Sequence, residues 1–195
     1  MCGRYYIAEE DSAAELQEII EQLNRRDIAV KTGEIFPTNT VPVLANNRRQ
    51  EVQPFAMKWG YSTGDGRRPV INARSETAAD KPLFKDGMSQ RRCLIPASNY
   101  FEWAKQDGQR VKYAICQRSS HMIYMAGLYR IEHGTEPVFT ILTREPAQNI
   151  AFIHDRMPVI LPEGATCDWL NLRYKADEVL KTAVLDVEFA PAEMA

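Results

Sequence analysis

Val111-Lys112-Tyr113-Ala114-Ile115-Cys116, His121 to Ile131 and Val138-Phe139-Thr140-Ile141-Leu142-Thr143 follow one another at short spacing. Each mixes β-branched and aromatic residues and is bounded by turn formers, the composition of strands that pack on a pleated sheet. Upstream, the same reading gives short strands over Cys2–Ile7, Val41–Ala45, Val52–Trp59, Val70–Ala73, Arg92–Ile95 and Asn99–Trp103, and downstream one over Met157–Leu161. Gly64-Asp65-Gly66 and Gln106-Asp107-Gly108 carry the residues that tight turns require, so a hairpin is expected at each. Helices are fewer. Ser12 and Glu15 have capping-box spacing, and Leu16, Ile19, Ile20 and Leu23 then recur at i, i+3, i+4 and i+7 as one core-facing stripe. Shorter helices are expected over Glu145–Ile153, Glu163–Leu170 and Ala176–Ala183. The class is α+β: a mostly antiparallel, β-rich core, open and barrel-like, decorated by short helices.

A chain of 195 residues can bury one good core, and no linker, repeat or low-complexity tract divides it, so a single domain over residues 1–195 is expected. With 45% hydrophobic and 26% charged residues, disordered, collagen-like and coiled-coil classes are excluded. The formal net charge of −2 provides no global field for nucleic acid, so any such contact needs a local basic patch. No window has the apolar length of a membrane span and no secretory signal opens the chain, which points to the cytoplasm. Cys2, Cys93, Cys116 and Cys167 form no C-x-x-C pair, and His121, His133 and His154 stand apart. Neither a disulfide framework nor a metal site is expected, and no cofactor is implied.

The unusual position is Cys2. A small second residue permits removal of Met1, and the chain would then open with an α-amine and a thiol in 1,2 relation. Both have unperturbed pKa values near neutrality, about 7.7–8.0 and about 8.5. An aldehyde meeting this unit forms an imine with the amine, and the sulfur can close a five-membered thiazolidine. A buried cysteine opening a strand satisfies the same position. In an extended segment Cys2 and Arg4 share a face, which would set a guanidinium beside the thiol, lower its pKa and offer a fork for phosphate. A surface ion pair is the other use of Arg4. Asn72 and Arg74 share a face by the same period: Asn72 to orient an amine or cap a strand end, Arg74 to bind phosphate. Glu102 alternates with Phe101 and Trp103, so it is either a solvated strand residue or the proton-transfer carboxylate of a cleft. His154 is the natural second proton-transfer group, or a structural histidine.

Met1-Cys2-Gly3-Arg4-Tyr5, Trp59-Gly60, Ile71 to Thr77, Arg92-Cys93-Leu94-Ile95-Pro96, Tyr100-Phe101-Glu102-Trp103 and Ile153 to Pro158 together resemble the SRAP family (SOS response-associated peptidase). The match runs in the family's order over most of the chain. The resemblance implies covalent capture of abasic sites in single-stranded DNA through a mature N-terminal cysteine, after autoproteolytic loss of the initiator methionine. Nicking of the lyase type and slow crosslink reversal are further implied. It implies Cys2 as nucleophile, Asn72 positioning its amine, Glu102 as acid and base, and His154 assisting opening of the sugar. Arg4, Arg74 and Arg156 are implied as phosphate binders, and Pro37, Thr38, Thr143 and Trp59 as further DNA-contacting positions. The implied partner is single-stranded DNA bearing abasic sites, bound by a monomer that is nucleoid-associated when engaged. The rival readings are a cysteine-dependent hydrolase using an internal cysteine and a non-catalytic single-strand binder.

Overall fold

In a computed structural model, residues 2–8, 14–64, 66–118 and 120–192 are described. Among the described residues, thirteen strands carry the fold. Five of them, β3 (Thr40–Asn46), β4 (Val52–Trp59), β6 (Arg92–Ala97), β9 (Ile123–Glu132) and β10 (Glu136–Arg144), close on one another in the order β10-β4-β3-β6-β9, and β9 pairs back onto β10. The closing ladder is antiparallel and runs from Glu132↔Glu136 to Gly127↔Ile141. The expected α+β class holds, and the barrel is closed rather than open. Closure removes the free edges that an open sheet presents.

Two pairings break the antiparallel rule. β4 runs parallel to β10 at Val138↔Lys58 and Phe139↔Trp59. The short β5 (Asn72–Arg74) then continues along the same edge, parallel again, at Ile141↔Asn72 and Thr143↔Arg74. This corrects the hairpin expected at Gly64-Asp65-Gly66. The loop there leaves β10 and returns to it, and its base is closed by the isolated bridge Tyr61↔Val70. Gly60 makes the departure possible: its φ is +114°, and a Cβ there would lie 2.7 Å from the Pro69 Cβ. The second expected hairpin forms. β7 (Asn99–Gln106) and β8 (Gln109–Gln117) pair from Tyr100↔Ile115 to Gln106↔Gln109, with Asp107 and Gly108 at φ 49° and 80° as a two-residue turn requires.

β7 and β8 belong to a second sheet of order β13-β8-β7-β1-β2, in which β1 spans Tyr5–Ile7, β2 Gly33–Ile35 and β13 Val187–Pro191. Only Ser98 separates β6 from β7, so the barrel and this sheet are joined where the chain passes from one to the other. β1 begins at Tyr5 rather than Cys2, and residues 2–4 lie outside any strand. The stretch expected as one strand over Met157–Leu161 is two, β11 (Met157–Pro158) on β10 and β12 (Ile160–Leu161) on β9.

Helix α1 (Ala14–Asn24) buries the stripe Leu16, Ile19, Ile20 and Leu23 as its periodicity requires. Its expected cap at Ser12 lies outside the described residues. α2 (Pro82–Gln90) lays Gly87 so close to β9 that a Cβ would stand 2.9 Å from that of Leu128. α3 (Glu163–Leu170) and α4 (Ala176–Leu180) form as expected, the latter shorter. The helix expected over Glu145–Ile153 shrinks to a 3₁₀ turn at Gln148–Ile150.

Candidate functional site

Cys2 is completely buried, and Asn72 reaches it from β5: the carboxamide Nδ2 donates to the Cys2 carbonyl at 2.8 Å. The other amide atom, Asn72 Oδ1, is also buried and has no hydrogen-bond partner among the described residues. An orphaned buried acceptor costs roughly 1–3 kcal/mol, so it marks a position where an N–H is wanted. On the side of the second sheet, the Phe101 N–H donates to the Arg4 carbonyl at 2.9 Å, which ties the segment of Cys2 to β7. Tyr5, Tyr100 and Glu102 share the inner face of that sheet, all buried. The Cys2 thiol is pushed well up by burial and then by the charge of Glu102.

This corrects one sequence expectation. No guanidinium lowers the Cys2 thiol: Arg4 Nη1 is held 3.0 Å from Glu34 Oε1, and its guanidinium covers the Phe36 ring at 3.9 Å. The reason is local, because the period-2 alternation that would put Cys2 and Arg4 on one face holds only inside a strand. Glu34 takes a second cation, Lys112, at 2.8 Å. Burial acts to raise the Glu34 carboxyl, but the bonds from Lys112 and Arg4 outweigh it and hold the group below its ordinary range.

Asn72, Arg74, Thr143, His154, Asp155 and Arg156 line one cleft of about 330 Å³. β5 and β10 bring Arg74 opposite Thr143, and the turn over residues 151–153 leads into His154, which lines the same cleft. Arg74 is exposed and makes no ion pair among the described residues. Arg156, its companion in the phosphate-binding expectation, is engaged. It donates to both Glu76 oxygens at 2.9 and 2.8 Å and to the Thr143 carbonyl at 2.6 Å. The guanidinium's bonds hold the Glu76 carboxyl below its usual value. His154 Nδ1 lies 2.6 Å from the Asp155 carboxylate and 3.1 Å from the Arg156 backbone nitrogen.

The remaining positions divide. Thr143 is 1% exposed, with its hydroxyl 3.4 Å from the Ala73 carbonyl, and reaches the cleft from beneath. Thr38 is exposed at φ 75°, with Pro37 half-buried beside it, and its N–H donates to the Trp59 carbonyl at 2.9 Å. Trp59 itself is a correction. Its side chain is fully buried, stacked on Phe139 at 6.3 Å and donating Nε1–H to the Ile71 carbonyl at 3.0 Å, so it presents no surface to a ligand. The indole fixes the entry of the Gly60–Ile71 loop instead. The pairing Glu76–Arg156 escaped the sequence reading because 80 positions separate its members. Among the described residues one trio, Glu132, His133 and Glu136, has metal-ligand spacing. It sits at the far end of β10 from the cleft, with Glu132 bonded to Arg130 and Glu136 to Lys58.

A closed β-barrel carrying a second sheet, with a buried residue-2 cysteine and an Asn–His–Arg cleft at their junction, defines the class. Residues 1–194 match SRAP, the SOS response associated peptidase family, and this chain belongs to it. It is 31% identical over 200 residues to abasic site processing protein YobE of Bacillus subtilis, covering 95% of this chain and 89% of that protein. It is 32% identical over 193 residues to abasic site processing protein YedK of Escherichia coli, covering 94% and 85%. Among solved structures, a phage-related protein from Bordetella bronchiseptica superposes with a TM-score of 0.78 at 22% identity, over 99% of this chain and 95% of that one. That likeness is one of fold.

Proposed function

We propose that this protein captures abasic sites in single-stranded DNA as a covalent adduct of Cys2. Two relatives named as abasic site processing proteins support the substrate, and the bond between Asn72 and the Cys2 carbonyl is the observation that carries the mechanism. With Met1 removed, the Cys2 amine is held beside Asn72, whose orphaned Oδ1 accepts one of its N–H bonds and points its lone pair at the cleft. The amine leads the reaction because burial keeps the thiol protonated. It adds to the ring-opened aldehyde carbon to give a carbinolamine. Glu102 takes the remaining amine proton and passes it to the hydroxyl, which leaves as water as the imine forms. The sulfur then bonds to the imine carbon while the thiol proton passes, through Glu102, to nitrogen. One aldehyde and one aminothiol become one thiazolidine and one water, with no cofactor or metal.

In this reading His154 protonates the sugar ring oxygen as the hemiacetal opens, and Arg74 takes a phosphate. Arg156 and Arg4 contribute to phosphate binding from their pairs with Glu76 and Glu34, while Thr143, Pro37 and Thr38 shape the cleft wall. Holding the minor aldehyde form beside the amine is the main source of rate. Lyase-type nicking and reversal draw on the same imine, and a cytoplasmic monomer suffices.

Mature protein, its start at Cys2 verified by intact mass, is incubated with an abasic single-stranded oligonucleotide. A DNA–protein band surviving denaturing electrophoresis is expected, and Cys2→Ala should lack it. An equal band from Cys2→Ala points to a different nucleophile, and purely salt-reversible binding points to a non-catalytic binder. Either result overturns the proposal.

A further inference from the structure

On the inner face of the second sheet, Tyr113 lies directly across the β7–β8 ladder from Glu102. Its ring meets two others edge-on: Phe152 at 5.8 Å and Phe189 at 5.7 Å, with Phe152 and Phe189 themselves 5.3 Å apart. Tyr113 is buried beneath the pair, whereas Phe152 is 53% exposed and Phe189 38%. Two phenyl rings this exposed in one cluster form an apolar patch that burial alone does not explain.

The outer face of the same sheet handles its aromatics differently. Phe36 and Trp103 lie under Arg4 at 3.9 and 5.2 Å, and Phe101 lies under Lys112 at 4.1 Å. Among the described residues no cation covers Phe152 or Phe189, and edge-to-face packing leaves phenyl faces open to an incoming π-system. The position adjoins the cleft. Phe152 precedes His154 by two residues, at most about 7 Å of chain, and Tyr113 is one strand, about 5 Å, beyond Glu102. An exposed arginine, Arg74, lies in that cleft for an anion. A ligand alternating phosphates with flat apolar rings matches an exposed cation followed by uncovered aromatic faces.

Resting on the capture reading above, we propose that Phe152 and Phe189 form a stacking platform for the nucleobase next to the abasic position. The missing base needs no pocket, and the intact neighbour is drawn out of the strand's own stack onto the rings. Capture is thereby selective for the flanking base: purines, with the larger face, bind tighter than pyrimidines, and a second baseless position next to the first binds most weakly. Phe152 specifies and positions. It takes no part in bond making.

The test uses the mature protein and single strands carrying a tetrahydrofuran abasic analogue, with 2-aminopurine on its 5′ or its 3′ side. Binding is expected to quench the 2-aminopurine strongly on one of the two sides. Phe152→Ala should abolish that quenching and weaken affinity about tenfold, the effect of losing one base–aromatic stack. Phe152→Leu, apolar but not aromatic, should behave like the alanine variant, and Phe152→Trp should restore both readouts. With the flanking base replaced by a second tetrahydrofuran, wild type and Phe152→Ala should bind alike. Tight binding with quenching unchanged in Phe152→Ala, or a leucine variant as good as wild type, overturns the platform while leaving covalent capture standing. Absence of any binding by wild type, together with no crosslink to a true abasic strand, overturns the capture reading itself.

Discussion

Cys2 and Cys93 make an instructive pair. Both are fully buried, burial pushes both thiols up, and both give their carbonyl to a side-chain N–H: Cys2 to Asn72 at 2.8 Å, Cys93 to the Trp169 indole at 2.9 Å. Around Cys93, inside the barrel, burial is what raises the thiol. Around Cys2, at the seam between barrel and second sheet, a carboxylate adds its charge. The donors differ too. An indole N–H has nothing left once its bond is made, whereas the carboxamide keeps an acceptor, and here that acceptor is buried and unmatched. A buried thiol alone is therefore core. A buried thiol with unspent polar capacity beside it is a site.

The widest separation between the two regions should appear in crosslinking. Cys2→Ala is expected to lose the denaturation-resistant DNA band entirely, while Cys93→Ala keeps it; equal loss in a folded Cys93→Ala protein would break the comparison. Stability should divide the other way. Trp169→Ala removes a fully buried indole and should cost about 3–5 kcal/mol in urea unfolding, against about 1 kcal/mol for Asn72→Ala, whose single bond is offset by its orphaned acceptor.

A third region sharpens the contrast, since on the outer face Glu34 is matched by both Lys112 and Arg4. Glu34→Gln strands Lys112, only 4% exposed, and should cost about 3 kcal/mol. Because the folded Glu34 carboxyl titrates below its unfolded value, its contribution is present above that unfolded value, about pH 4.3. It fades as pH falls through the lower folded value, so the wild-type advantage over Glu34→Gln in unfolding free energy should shrink over that acid window. Smallest is a labelling difference. In native protein near pH 8, iodoacetamide should modify exposed Cys167 and spare Cys2 and Cys93, with all four cysteines reacting in denaturant, as intact mass would report.

What could be read from the chain was what neighbouring residues decide. The stripe Leu16–Leu23 needed only helical period, and Asp107-Gly108 needed only turn geometry, so α1 and the β7–β8 hairpin were legible. Gly64-Asp65-Gly66 carried the same signal and misled, because a turn former does not say whether the flanking strands meet each other or, as here, a third strand, β10. α2 was missed: Leu83 on it is exposed, Met88 is its one buried large apolar side chain, and its close approach to β9 uses a glycine, Gly87, so no apolar stripe at helical period marks it. At the site, the shared face of Asn72 and Arg74 was legible because β5 is a true strand. The pairing of Arg4 with Glu34 and of Arg156 with Glu76 was not, since each joins residues 30 or 80 positions apart. Trp59 stood in a motif beside site residues, and motif membership does not separate a wall of the cleft from the framework behind it.

Gly127 ties the two cysteines together. It faces Cys93 on one side and Ile141 on the other, and Ile141 in turn faces Asn72, so four strands share one rung. A Cβ at Gly127 would collide with Ile95 Cδ1 and stand 2.8 Å from the Thr140 carbonyl oxygen. A lone methyl there would act as a wedge in a hoop, and the displacement would travel crosswise to the amide that grips residue 2. A position with room for no more than a hydrogen thus sets the tolerance of a distant grip.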